Sequence, residues 1–115
     1  MSLSLDFFMQ GEIKMKKIEI LSDRIEEEIK DAEWYARSAV DCKDNDPASA
    51  EMFYRIANEE IGHVNMLHTR VVAIIEEYKK TNGEPPSDMM KLYEYLHKKH
   101  IGNLATVKGI LGLYK

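Results

Sequence analysis

Residues 57–66 read ANEEIGHVNM, in the middle of a segment rich in helix-forming residues. On either side of it, Phe53, Ile56, Leu67, Val71, Ile74 and Tyr78 recur at helical spacing along one stripe, the pattern of an amphipathic helix that buries one face. Glu60 and His63 stand where the stripe should continue with apolar residues. The segment before it repeats the arrangement: Leu21, Ile25, Ala32, Tyr35 and Ala39 form a second stripe, and Glu28 fills its gap.

Local signals bound these segments. The first helix is expected from about Met15 to about Lys43, where DCKDNDPAS (41–49) interrupts it. Asn45 or Asp46 can cap the next helix, and Pro47 suits a first turn, where its missing N–H is no loss. The second helix runs from Pro47 to about Lys80, with Gly83 as a C-terminal cap and Pro85 and Pro86 unable to continue it. A third helix starts at Ser87 or Asp88 and contains DMMKLYEYLHKKH (88–100). Gly102, Gly109 and Gly112 weaken its continuation, so the last residues read as a tail. The chain thus divides into an N-terminal tail (1–14), a helical hairpin (15–81) and a C-terminal helix with its tail (82–115). Met9 and Met15 are alternative natural starts. No segment alternates with period two, so the fold class is all-α: an antiparallel helical hairpin plus a C-terminal helix.

Composition narrows the function classes. A chain of 115 residues makes one domain, and a net charge of -4 argues against a general nucleic-acid binder. No apolar run approaches the roughly 20 residues of a membrane span, and the N-terminus lacks the basic start and apolar centre of a signal peptide. Cys42, the single cysteine, excludes an intramolecular disulfide and any four-cysteine metal site. A reducing, cytoplasmic location is expected.

The two gaps carry the chemistry. A buried ionised carboxylate costs several kcal/mol unless it is compensated. Glu60 and His63, one helical turn apart, point the same way, and Glu28 lies at a similar distance from the hairpin turn. Carboxylate oxygen with imidazole nitrogen is the donor set of non-haem iron or manganese, so Glu28, Glu60 and His63 are the candidate metal ligands.

These residues, within EEEIKDAEWYARS (26–38) and ANEEIGHVNM, resemble the ferritin and rubrerythrin superfamily, in particular the small encapsulated ferritins. One Glu on one helix and Glu-x-x-His on the next is half of a ferritin-like di-iron site. The Glu28 to Trp34-Tyr35 interval and the acidic pair Glu59-Glu60 ahead of His63 carry the likeness further. The resemblance implies that two chains meet as a four-helix bundle and share a di-iron centre held by Glu28, Glu60 and His63 of each, with manganese or zinc able to substitute. It implies a ferroxidase oxidising Fe(II) to Fe(III) with O2 or peroxide, for iron storage or detoxification, and higher homo-oligomers. Rubrerythrin-like peroxide reduction would use the same ligands, and Tyr35, two turns from Glu28, is a candidate participant. The ending ATVKGILGLYK (105–115) is similar to the tails that dock cargo inside an encapsulin shell, which would place the protein within that nanocompartment.

The chain also departs from the family. The single cysteine rules out a rubredoxin domain, and a second Glu-x-x-His, Glu94 to His97, has no accompanying lone-Glu helix and reads as coincidence. Glu26, Glu27, Asp31 and Glu33 read as a solvated acidic face, and Glu59 as a residue flanking the site. His68, His97 and His100 read as surface or interface residues. Met52, Met66, Met89 and Met90 read as packing, and Trp34 as part of a subunit interface. A non-catalytic helical adaptor is the competing function: it accounts for the stripes but not for their ionisable members.

Overall fold

The computed structural model describes residues 3–115, with side chains from residue 9 onward. Three helices follow in order: α1 (Leu3–Cys42), α2 (Pro47–Asn82) and α3 (Ser87–Tyr114), with no strand among the described residues. None of these helices is long and apolar enough to cross a membrane.

The turns form as their residues dictate. Asp46 caps α2, its side chain accepting a hydrogen bond from the Ser49 backbone N–H at 3.2 Å, and Pro47 occupies the first turn. The Asp46 backbone N–H donates to the Cys42 carbonyl at 2.8 Å and closes the hairpin. At the other end Gly83 adopts φ 80°, a left-handed conformation that costs glycine little, and its N–H donates to the Lys79 carbonyl. Lys79 and Lys80 favour that C-terminus through the helix dipole. The third helix begins at Ser87 with no side-chain cap.

The hairpin of α1 and α2 carries the most extensive packing, and α3 lies mainly along α1. The result is a rod of 66 × 19 × 17 Å with a radius of gyration of 18.3 Å. A globular chain of this length would have about 13 Å, so a single copy leaves much of its length thinly covered.

Three expectations change. The first helix begins well before Met15; Gly11 lies against Tyr78 and Pro86, so the early turns of α1 pair with the late turns of α2. The last residues form no tail. Val107 and Leu111 are buried, Tyr114 stacks on Tyr54 at 4.6 Å, and its hydroxyl donates to Glu51 at 3.0 Å. A Cβ at Gly102, Gly109 or Gly112 would meet nothing within 4 Å, so these glycines face open space while the opposite side anchors the helix.

The third change concerns the buried stripe itself. On α1 the core runs through Ile18, Ser22, Ile25, Ile29, Ala32, Ala36 and Ala39. It shares Ile25, Ala32 and Ala39 with the expected stripe, but Leu21, Glu28 and Tyr35 are only half-buried. On α2 it runs through Ala50, Ala57, Val64, Val71, Ile74, Ile75 and Tyr78, while Phe53, Ile56, Glu60 and Leu67 are half-buried and His63 is exposed. The physical reason is α3, which covers one side of the hairpin and turns the buried face toward itself. The Glu28, Glu60 and His63 positions lie on the flank that α3 leaves open.

Candidate metal centre

Glu28 projects from the middle of α1, and Glu60 and His63 project from the middle of α2, one turn apart. Pairing of the two long helices brings them together. His63 Nδ1 lies 3.6 Å from Glu28 Oε2 and 3.7 Å from Glu60 Oε2. One donor atom from each residue lies within 4.8 Å of the other two, and among the described residues no other group of three His, Cys, Asp or Glu side chains does this.

Burial is uneven. The Glu28 and Glu60 side chains are 14% and 17% exposed, whereas His63 is 50% exposed. The two acids are therefore sunk between the helices with the imidazole above them at the open flank. Glu28 Oε1 accepts a hydrogen bond from Arg24, one turn earlier, at 3.3 Å. Glu60 Oε2 is buried and has no hydrogen-bond partner. An orphaned, buried carboxylate oxygen beside a second carboxylate is costly unless a cation compensates it.

The donor set fits a divalent transition metal. Separations of 3.6 and 3.7 Å fall within the roughly 4.2 Å that two ligands, each about 2.1 Å from a shared ion, can span. The mix of hard oxygen and intermediate nitrogen suits iron, manganese or zinc. Three ligands on one flank would leave the outer side of a bound ion open, either to solvent or to a partner molecule.

Aromatic side chains lie further along the same two helices. Trp34 packs edge-on against Tyr35 at 5.2 Å and Phe53 at 5.8 Å, forming an aromatic trio on the same side of the hairpin. Tyr35 is held in that trio and does not join the three converging ligands. Trp34 is 61% exposed and Met66, one turn beyond His63, is 67% exposed. Met52 adds a third exposed apolar side chain, in a groove it shares with Glu59.

Several other expectations meet the structure here. Glu27 and Asp31 are exposed, and Glu33 pairs with Arg37 at 3.1 Å, as a solvated acidic face should. Glu26 departs from that face: it is half-buried and bonded to Lys99 of α3 at 2.7 Å. Met89 is fully buried, while Cys42 is a half-buried free thiol. Glu94 is exposed and His97 faces α2 rather than the three ligands. Reading the gaps in the stripes missed Arg24, although its spacing of four from Glu28 in RIEEE (24–28) was a sufficient signal. His100 is buried and His68 and His97 are half-buried; the three cluster where α3 meets the hairpin, an interface within the chain. No family model, curated protein or solved structure matches the chain.

Proposed function

We propose that this chain is a ferritin-like half-bundle whose Glu28, Glu60 and His63 bind iron, and that a second copy completes the site. The observation that carries the reading is the convergence of three donor atoms within 4.8 Å around a buried carboxylate oxygen that lacks a partner. A structural role for these residues would favour pairing that oxygen, and a binding role favours leaving it free.

The half-site is the reason for expecting a dimer. Ferritin-like di-iron sites use two lone glutamates and two Glu-x-x-His pairs, and one chain supplies one of each. An isologous contact across the open flank would bring the second set to the first and cover Trp34 and Met66 in the same step. Higher assembly is consistent with the thin core of one rod.

Fe(II) is the substrate on this reading. Two Fe(II) each lose one electron, and O2 takes up both electrons and two protons to leave as hydrogen peroxide. Peroxide as oxidant takes the same two electrons and two protons to give two waters. The carboxylates bind the incoming cations and favour the more highly charged Fe(III) product, and the neutral form of His63 is the one that binds. Peroxidase turnover in the manner of rubrerythrins rests on the same ligands, and the oxidant consumed per iron separates the two.

The deciding experiment is metal analysis with native mass on the wild type and Glu60→Ala after anaerobic Fe(II) loading. The expected result is about one iron per chain and two per dimer, lost in the variant. A wild type that stays free of metal, or a variant that loads as well as the wild type, would leave the helical adaptor as the function. Docking of the C-terminus in an encapsulin shell would require residues 105–115 to leave their seat on Tyr54 and Glu51.

A further inference from the structure

On the side of the molecule that α3 covers, three imidazoles meet. His68 of α2 stacks on His97 of α3 at 4.6 Å with 19° between the ring planes, and Tyr93 lies against both rings, 5.3 Å from His97 and 6.3 Å from His68. The Tyr93 hydroxyl lies 3.4 Å from His68 Nε2. His100, one turn beyond His97, is 5% exposed. These side chains close around a cavity of about 10 Å³, together with Ser22 and Ile25 of α1 and Val71 of α2. That is at the lower limit for one water molecule.

Two features stand out chemically. His97 Nδ1 and His100 Nε2 are buried with no hydrogen-bond partner. A shared metal ion does not answer them: the stacked planes of His68 and His97 cannot both contain one ion, and the three imidazoles do not converge as Glu28, Glu60 and His63 do. What the arrangement favours is the neutral form of His68 and His100. An imidazolium at His100 would be almost cut off from water with its Nε2 unpartnered, and one at His68 would face the ring of His97 at stacking distance.

We propose that the His68–His97–His100 cluster is a proton-sensitive latch that seats α3 on the hairpin at neutral pH and releases it in mild acid. The groups that face His100 are Glu26 of α1, His68 of α2, and His97 and Lys99 of α3. Glu26 alone favours the charged ring, and it is already bonded to Lys99. Burial outweighs it and holds His100 below the ordinary histidine range; burial, then the proximity of His97, does the same for His68. A histidine depressed in the docked state binds protons more tightly when released. Docking is therefore at full strength above the ordinary histidine pKa of about 6.5 and weakens as pH falls below it. Each proton taken up on release weakens docking by about tenfold per pH unit.

Amide hydrogen exchange of the full chain between pH 7.5 and 5.0, with chelator present and rates normalised to the intrinsic rate at each pH, reads this directly. Protection across residues 89–111 should fall as pH drops below 6.5, by up to about tenfold per unit for each proton taken up, while the central turns of α1 and α2 keep theirs. His100→Leu should flatten that dependence. If that variant fails to seat α3 at all, ring titration of the wild-type histidines by NMR supplies the second readout, with His100 and His68 expected below the ordinary value. Protection of α3 that is level across the range, that falls together with the other helices, or that keeps its wild-type slope in His100→Leu overturns the latch, as does an ordinary titration for both rings.

Discussion

His63 Nδ1 and Glu28 Oε2 lie 3.6 Å apart on different helices. That distance is too long for a hydrogen bond and short enough for two ligands of one ion. Nothing in the packing of an apolar hairpin demands it. The neighbouring Glu60 oxygen, 3.7 Å from the same nitrogen, is left without any hydrogen bond. The three side chains thus converge without hydrogen-bonding one another, at a cost to the fold that a bound cation would offset.

That cost gives the first prediction. With chelator present, Glu60→Gln should stabilise the protein, because it removes a buried charge from beside Glu28. A gain of about 1 kcal/mol is the scale for relieving one unsatisfied buried group. With Fe(II), Mn(II) or Zn(II) in excess the order should invert, since only the wild type gains binding energy, about 2.7 kcal/mol at a hundredfold excess over Kd. Urea unfolding of both proteins, with and without metal, measures the crossing. Curves that keep the same order in both conditions would mark Glu60 as an ordinary structural residue.

Dimerisation can be separated from ligation. Met66 is 67% exposed and lies one turn from His63, on the flank left open by α3. Met66→Asp alters no ligand but puts a charge where a second copy would seat. Association should weaken at least about tenfold, which is 1.4 kcal/mol, and two-iron loading should fall with it, while the helical content stays unchanged. Sedimentation and iron analysis on the same samples test this, and a Met66→Asp protein that still dimerises and still loads two irons would place the interface elsewhere.

Much of this was legible in the residues. Asp46, Pro47, Gly83 and the proline pair mark both turns of the chain, because capping and φ are local properties. Glu28, Glu60 and His63 were found as gaps in two apolar stripes, since an ionisable residue amid helical periodicity stands out in any register. The side that each helix buries was less legible. Spacings of three and four fit both the stripe through Leu21, Glu28 and Tyr35 and the one through Ile18, Ser22 and Ile29, and only the position of α3 chooses between them. The continuation of α3 through three glycines was hidden for a related reason: propensity counts against it, while burial of Val107 and Leu111 and the Tyr54–Tyr114 stack come from residues distant in sequence. The histidine cluster depends on the same docking.

The Asp46 cap carries a pH dependence of known sign. Hydrogen bonding from Ser49 holds its carboxyl below the ordinary aspartate value. A carboxyl depressed in the folded state contributes stability above its unfolded pKa of about 3.9, and that contribution disappears as pH falls through the lower folded value. Asp46→Ala should lower the melting temperature at pH 7 and narrow its gap to the wild type on acidification to pH 2.5. Asp46→Ser, which still offers an acceptor to the Ser49 N–H, should recover most of the loss at neutral pH. Calorimetry of the three proteins at the two pH values decides it; an alanine variant with the wild-type melting temperature would show that the hairpin turn needs no cap.

The C-terminal glycines offer a test of how α3 is held. Gly102 and Gly109 lie inside a helix whose opposite face is buried, and an added Cβ at either would touch nothing within 4 Å. Alanine there loses less backbone entropy on folding and adds no clash, so each substitution should stabilise α3 by about 0.5–1 kcal/mol. If α3 melts with the hairpin as one unit, the gain appears in global unfolding, and the double variant should be nearly additive because the sites are about two turns apart. If α3 opens on its own, the gain appears only in local exchange of residues 87–114, and the pH at which α3 releases should move downward. Hydrogen exchange and urea unfolding of Gly102→Ala, Gly109→Ala and the pair distinguish the two, and destabilisation by either alanine would mean that those positions face a partner copy rather than solvent.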